Sequence, residues 1–181
     1  MRSQLHRNFG KLYSAQGKLA EALQELAKDI YCSSLEFGPE HVNTSGGYFC
    51  MASVFYSQHR IENALAFYDK VVDIWFKFLS AQRVGGGGTV ALSPSQLAEA
   101  REMLTLILGT RSKLLGAHHI ATGEAKFTLG LLHVARGDKA GALDCVSYAA
   151  EVYGKHLGPE HPSTRDVLVC LAELNAQGPD S

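Results

Sequence analysis

One alanine position recurs four times along the chain. The segments Gly17-Lys18-Leu19-Ala20-Glu21-Ala22-Leu23, Arg60-Ile61-Glu62-Asn63-Ala64-Leu65, Gln96-Leu97-Ala98-Glu99-Ala100-Arg101 and Gly137-Asp138-Lys139-Ala140-Gly141-Ala142-Leu143 align on Ala22, Ala64, Ala100 and Ala142, at spacings of 42, 36 and 42 residues. A period of this size marks a repeat array, in which each unit buries its apolar face against its neighbours. Sixteen residues after three of the anchors comes a glycine turn: Gly38-Pro39-Glu40-His41, Gly116-Ala117-His118-His119 and Gly158-Pro159-Glu160-His161. The second unit has Ser80 at that place and runs on toward Gly85-Gly86-Gly87-Gly88.

Each full unit reads as two helices. Leu5, Phe9, Leu12 and Tyr13 make one helical stripe, and Leu19, Ala22, Leu23, Leu26, Ala27, Ile30 and Tyr31 make the next. Tyr48, Met51, Ala52 and Phe55 lead through Gln58-His59-Arg60 to Ala64, Leu65, Tyr68, Val71, Val72 and Trp75. Leu129, Gly130 and His133 precede Gly137, with Ala142, Val146, Ala149 and Val152 beyond it. A small residue in the first helix (Gly10, Ala52, Gly130) and another in the second (Ala22, Ala64, Ala142) let the paired helices approach closely. This resembles the tetratricopeptide (TPR) pattern, with a longer period than usual. The expected fold is all-α, a right-handed TPR helical-hairpin solenoid with a degenerate third repeat and a C-terminal capping helix.

The turns supply the punctuation, because glycine takes the left-handed conformation after a helix and proline cannot continue one. Thr44, Thr122 and Ser163 or Thr164 are placed to cap the helix that follows, and the repeated His41 and His161 point to a role in the turn. Residues 1–80 read as two TPR units and 81–94 as a glycine-rich linker or insertion. Residues 95–175 hold the degenerate unit, a further unit and the capping helix, whose outer face carries Arg165, Asp166, Glu173 and Asn175. Residues 176–181 read as a disordered tail. Ser93-Pro94 starts a helix from about Ser95 to Leu115.

Composition narrows the function. Of 181 residues, 46% are hydrophobic and 19% charged, which excludes a disordered chain. Seventeen basic against eighteen acidic residues give a net charge of −1, without the basic excess of a nucleic-acid binder. No run reaches the ~18–20 apolar residues that span a bilayer, and the N-terminus lacks a signal-peptide pattern. An intracellular chain with free thiols at Cys32, Cys50, Cys145 and Cys170 is expected.

The chemistry-bearing residues read as structural. Gly85-Gly86-Gly87-Gly88-Thr89 lacks the lysine of a phosphate loop and follows a helical stripe rather than a strand. His118 and His119 diverge by about 100° on a helix, and no HExxH occurs. There is no GxSxG, and Glu21 and Glu25 share one solvated helix face. No catalytic residue, metal or cofactor is expected. The remaining signal is the inner surface of the array, where a partner segment would dock. Aligned by the anchor alanines, it places Gln4, Arg7 and Lys11, then Phe49, Ser53 and Tyr56, then Phe127, Leu131 and Val134, basic at one end and apolar at the other.

Leu5-His6-Arg7-Asn8-Phe9-Gly10-Lys11-Leu12-Tyr13, Asp29-Ile30-Tyr31, Thr44-Ser45-Gly46-Gly47-Tyr48-Phe49, Val54-Phe55-Tyr56 and Ala98-Glu99-Ala100-Arg101-Glu102-Met103-Leu104-Thr105-Leu106-Ile107-Leu108 carry a second resemblance. They are similar to the TPR region of the zinc finger MYND domain-containing protein 12 family, over Leu5 to Arg111. The resemblance implies a protein of the ciliary axoneme that works beside another TPR protein to dock or stabilise a single-headed inner dynein arm heavy chain. It carries no zinc, because the sequence has no run of paired Cys and His ligands. From Lys113 onward, with Leu157-Gly158-Pro159-Glu160-His161-Pro162, the chain resembles kinesin light chain repeats, which implies a cargo or signalling adaptor as the alternative. A metal- or nucleotide-dependent enzyme is the third reading.

Overall fold

A computed structural model describes residues 2–84 and 92–176, all of their regular structure helical. The chain divides into two compact units, Met1–Phe78 and Leu79–Ser181. The first holds α1 (Arg2–Ala15), α2 (Leu19–Phe37), α3 (Val42–Ser57) and most of α4 (Ile61–Val84). The second holds the end of α4 with α5 (Pro94–Leu115), α6 (Ile120–Ala135), α7 (Lys139–His156) and α8 (Pro162–Ala176). Both are built from TPR-type helical hairpins. Of the expected linker, residues 81–84 continue α4 and 85–91 lie outside the described residues, as do 177–181 of the expected tail, while Ala176 ends α8.

The small residues do what close crossing requires. A Cβ on Gly10 would lie 2.6 Å from Leu26 Cγ, and one on Gly130 would lie 2.9 Å from Val146. Ala22, Ala52, Ala64 and Ala142 are fully buried. The first unit closes around Leu26, Val54, Tyr68, Val71 and Trp75, and the second around Leu104, Ile107, Leu132, Val146 and Val152. Truncating Leu26, Leu104, Ile107 or Leu132 to alanine costs ~2–5 kcal/mol.

The turns are built differently from the sequence expectation. Gly38, Gly116 and Gly158 have φ of 103°, 99° and 83°, as the left-handed region demands. The caps, however, are histidines. His41 Nδ1 accepts from the Asn43 N–H at 3.1 Å, His119 Nδ1 from Ala121 at 3.1 Å, and His161 Nδ1 from Ser163 at 3.2 Å. Thr44 and Thr122 point backward instead, each hydroxyl donating at 2.9 Å to the carbonyl of Gly38 or Gly116. Ring and hydroxyl thus tie the two sides of the junction. Ser93 caps α5, paired reciprocally with Gln96 in a capping box.

Two apolar stripes lie on unexpected sides. Leu5, Phe9 and Leu12 of α1 are exposed, and the helix buries Arg7 and Gly10. In α3 and α6 the equivalent Met51, Val54, Leu129 and Leu132 are buried. On α8, Asp166 and Glu173 are not simply solvated. Arg83, from the last turn of α4, donates Nη2 to Asp166 at 2.5 Å and Nη1 to Glu173 at 2.9 Å. Leu168 and Val169 are exposed on the same helix.

Candidate functional site

The first unit contains a buried ion pair at the meeting of α1, α2 and α3. Asp29 is fully buried and Arg7 nearly so. Arg7 Nε donates to Asp29 Oδ2 at 2.7 Å, and Nη2 donates to the Asn43 carbonyl at 3.0 Å. The Ser3 hydroxyl donates to the other Asp29 oxygen. The pair explains the two glycines of Thr44-Ser45-Gly46-Gly47. A side chain at Gly46 would collide with the Arg7 guanidinium, and one at Gly47 would come within 2.8 Å of the Asp29 carboxylate. Next to them Trp75 Nε1 donates to the Ser45 hydroxyl at 3.0 Å. The whole segment is thus fitted around polar groups of other helices.

Beside this pair, on the side of α1 and α3, opens a cleft of about 320 Å³. Lys11, Ser14 and Ala15 of α1 form one wall, Phe49, Cys50, Ser53 and Val54 of α3 the other, with Leu26 of α2 at the floor. Phe49 packs on Tyr68 at a centroid distance of 5.9 Å, which fixes the ring as a platform. Burial pushes the Tyr68 phenol up, and its hydrogen bond to Ser53 works against that shift. Lys11 is exposed at the rim. The surface is mainly apolar, with hydroxyls along it and one ammonium at its edge. Such a site can take an extended segment and orient a carboxylate.

Of the nine residues expected on the inner surface, the cleft brings together Lys11, Phe49 and Ser53. Gln4 is exposed farther along α1 and donates to Asn8 at 3.2 Å. Arg7 is committed to Asp29 and the Asn43 carbonyl, whereas Lys11, one turn on, is exposed. Tyr56 is exposed near the end of α3. Phe127 and Leu131 are core residues of the second unit and line no surface. Phe127 meets Tyr153 of α7 edge-on at 6.4 Å, and Val134 is half-buried. The reason is one of register: Arg7, Phe49 and Phe127 are equivalent, and each turns toward the second helix of its own hairpin. The sequence reading missed Ser14, Ala15 and Cys50, small residues whose role is to leave space.

Among the described residues no three His, Cys, Asp or Glu side chains gather to hold a metal ion, and no helix is long and apolar enough to cross a membrane. Cys145 and Cys170 are buried, and burial pushes both thiols up, so they stay protonated and unreactive.

No family model matches the sequence. Among solved structures, the chain is similar to the nearly identical TPR-like repeats of a Podosopora anserina protein described as a kinesin light chain, at 19% identity, with 97% of this chain and 87% of that one covered and a TM-score of 0.40. A variant of that protein matches at 20% identity over 97% and 86% of the two chains, also at 0.40. A MamA RS-1 double mutant matches at 19% identity over 97% and 95%, with a TM-score of 0.35. The TPR assignment rests on the hairpins, crossings and turns described above.

Proposed function

We propose that the chain is a non-catalytic protein–protein interaction scaffold of the ciliary or flagellar axoneme, in cytoplasm and cytoskeleton. In this reading it helps dock or stabilise a single-headed inner dynein arm beside another axonemal TPR protein, and so supports motility. The coarser half rests on the TPR-type hairpins, and the observation that carries it is the cleft of Lys11, Phe49 and Ser53. The axonemal half is supported by the resemblance to the zinc finger MYND domain-containing protein 12 family, whose Thr-Ser-Gly-Gly-Tyr-Phe segment has a definite physical use here. A partner segment would bury apolar groups on Phe49 and Val54 and set a carboxylate against Lys11. At ~25 cal/mol per Å², two such side chains supply a few kcal/mol before ordering costs.

The test is affinity capture from ciliated and non-ciliated cells, with Lys11→Glu and Ser53→Arg as cleft variants. The proposal expects inner-arm dynein heavy chains from ciliated extracts alone, lost with either variant while thermal stability holds. Motor-cargo partners recovered equally from both extracts would replace it with the kinesin light chain reading. Capture unaffected by the variants would move the binding surface away from the cleft.

A further inference from the structure

Helix α5 carries a stripe unlike the matching stripes of α2, α4 and α7. Six residues after their anchor alanines those helices have Lys28, Lys70 and Tyr148, and three residues further on Tyr31, Asp73 and Glu151. All six side chains end in a polar group, as a solvated face requires. At the same places α5 has Leu106 and Gly109. Leu106 is 55% exposed, and a Cβ added at Gly109 would meet nothing within 4 Å. Glycine inside a helix costs ~1 kcal/mol against alanine, and no neighbour within the chain requires it here. A groove of about 640 Å³ runs along this stripe, from Glu102 past Leu106 and Gly109 to Lys113.

The two ends of the groove carry opposite charges. Glu102 and Lys113 are exposed, and neither has a hydrogen bond or ion pair among the described residues. They stand ~16 Å apart along the helix. Lay two copies of α5 antiparallel, centred between Ile107 and Leu108. Leu106 of each copy then faces Gly109 of the other, and Glu102 of each faces Lys113 of the other. The side chain that projects meets the position that has none, and all four charges find partners. Parallel pairing would instead set Leu106 on Leu106 and Glu102 on Glu102. A stripe complementary to itself under a half-turn meets the requirement for a twofold dimer.

We propose that this face of α5 is a self-association surface whose occupant is α5 of a second copy, packed antiparallel with Leu106 seated over Gly109. Leu114, 37% exposed, falls opposite Arg101, whose aliphatic stem covers it. The contact from Arg101 to Leu114 spans only ~20 Å. Its area falls below the ~1,200 Å² of stable complexes, so the dimer is transient and concentration-dependent.

Sedimentation equilibrium of the full chain from micromolar to near-millimolar concentration tests this. The average mass should climb from 19.6 kDa toward twice that value. Gly109→Leu fills the seat of Leu106 and should hold the chain monomeric. Its thermal stability should equal or exceed the parent's, because the position is open and leucine favours the helix. Glu102→Lys and Lys113→Glu each set like charges together twice and should weaken association about tenfold. The double variant Glu102→Lys/Lys113→Glu should restore it. Leu35→Glu, at an exposed apolar position of α2, should associate like the parent. A parent chain monomeric at every concentration would overturn the proposal, as would a Gly109→Leu chain that still dimerises. So would a double variant no stronger than the single ones, or equal loss in Leu35→Glu, which would place the contact elsewhere.

Discussion

Replacing Arg7 with methionine strands a carboxylate. Asp29 has no exposed surface, and of its two oxygens one is held by Arg7 Nε at 2.7 Å and the other by the Ser3 hydroxyl. The bond from Arg7 Nη2 to the Asn43 carbonyl is lost as well. Breaking one side of a buried pair costs ~3–5 kcal/mol, because the remaining charge stays desolvated without compensation. Removing both partners is far gentler, so Arg7→Met/Asp29→Leu should recover at least ~2 kcal/mol of that loss. Gly46→Ala adds an independent reading. Its methyl would occupy the guanidinium's place and should cost ~1–3 kcal/mol in the parent. In the Arg7→Met background the same change should cost under ~0.5 kcal/mol, since the obstruction has gone. Urea unfolding followed by circular dichroism measures all five proteins, with an unchanged slope as the check on two-state behaviour. An Arg7→Met loss below ~1 kcal/mol would refute the reasoning, as would additive effects of Arg7→Met and Gly46→Ala.

The hairpin turn at His59 has φ of 58°, where the equivalent Gly17 and Gly137 stand at 75° and 71°. His59→Gly should therefore stabilise the chain by up to ~1 kcal/mol in the same unfolding assay. His41→Ala and His119→Ala each remove a helix cap and should cost ~0.5–2 kcal/mol, with His→Asn at either site restoring most of it. Asp138 caps α7, and the Gly141 N–H, followed by His133, holds its carboxyl below the usual 3.8. That contribution is complete above pH 3.8 and disappears as pH falls through the lower native value, so the melting-temperature gap between parent and Asp138→Ala should narrow in acid.

How much of this was legible depended on how far each cause lies from its effect along the chain. The hairpins, the junction turns and the start of α5 could be read because Gly38, Gly116, Ser93 and the anchor alanines act within a few residues of themselves. The histidine caps were half legible. Recurrence pointed to a turn role, but the ring geometry that lets Nδ1 reach an N–H two residues on is absent from any spacing rule. The glycine pair at Gly46 and Gly47 stood out without revealing its reason, which lies on Arg7 and Asp29 in two other helices. Periodicity could not tell the exposed Leu5, Phe9 and Leu12 from a core stripe. A helix carries the same spacing whether or not a neighbour arrives to cover it. The inner-surface alignment failed for Phe127 and Leu131 on a related point, since equivalent register places a residue toward its own hairpin, and only the size of the neighbours decides whether a cleft remains.

The lock between Arg7, Asp29 and the glycine pair has a consequence for how such an array can change over time. Repeats are commonly regarded as exchangeable modules, copied and shuffled with little penalty. Here the first hairpin favours as its successor a helix carrying glycine at both matching sites. The equivalents in α6 are Glu124 and Ala125, and in α8 they are Asp166 and Val167. Either would crowd the guanidinium and the carboxylate, so duplication or reshuffling within that stretch carries a steric cost that the other junctions, which lack this lock, do not share.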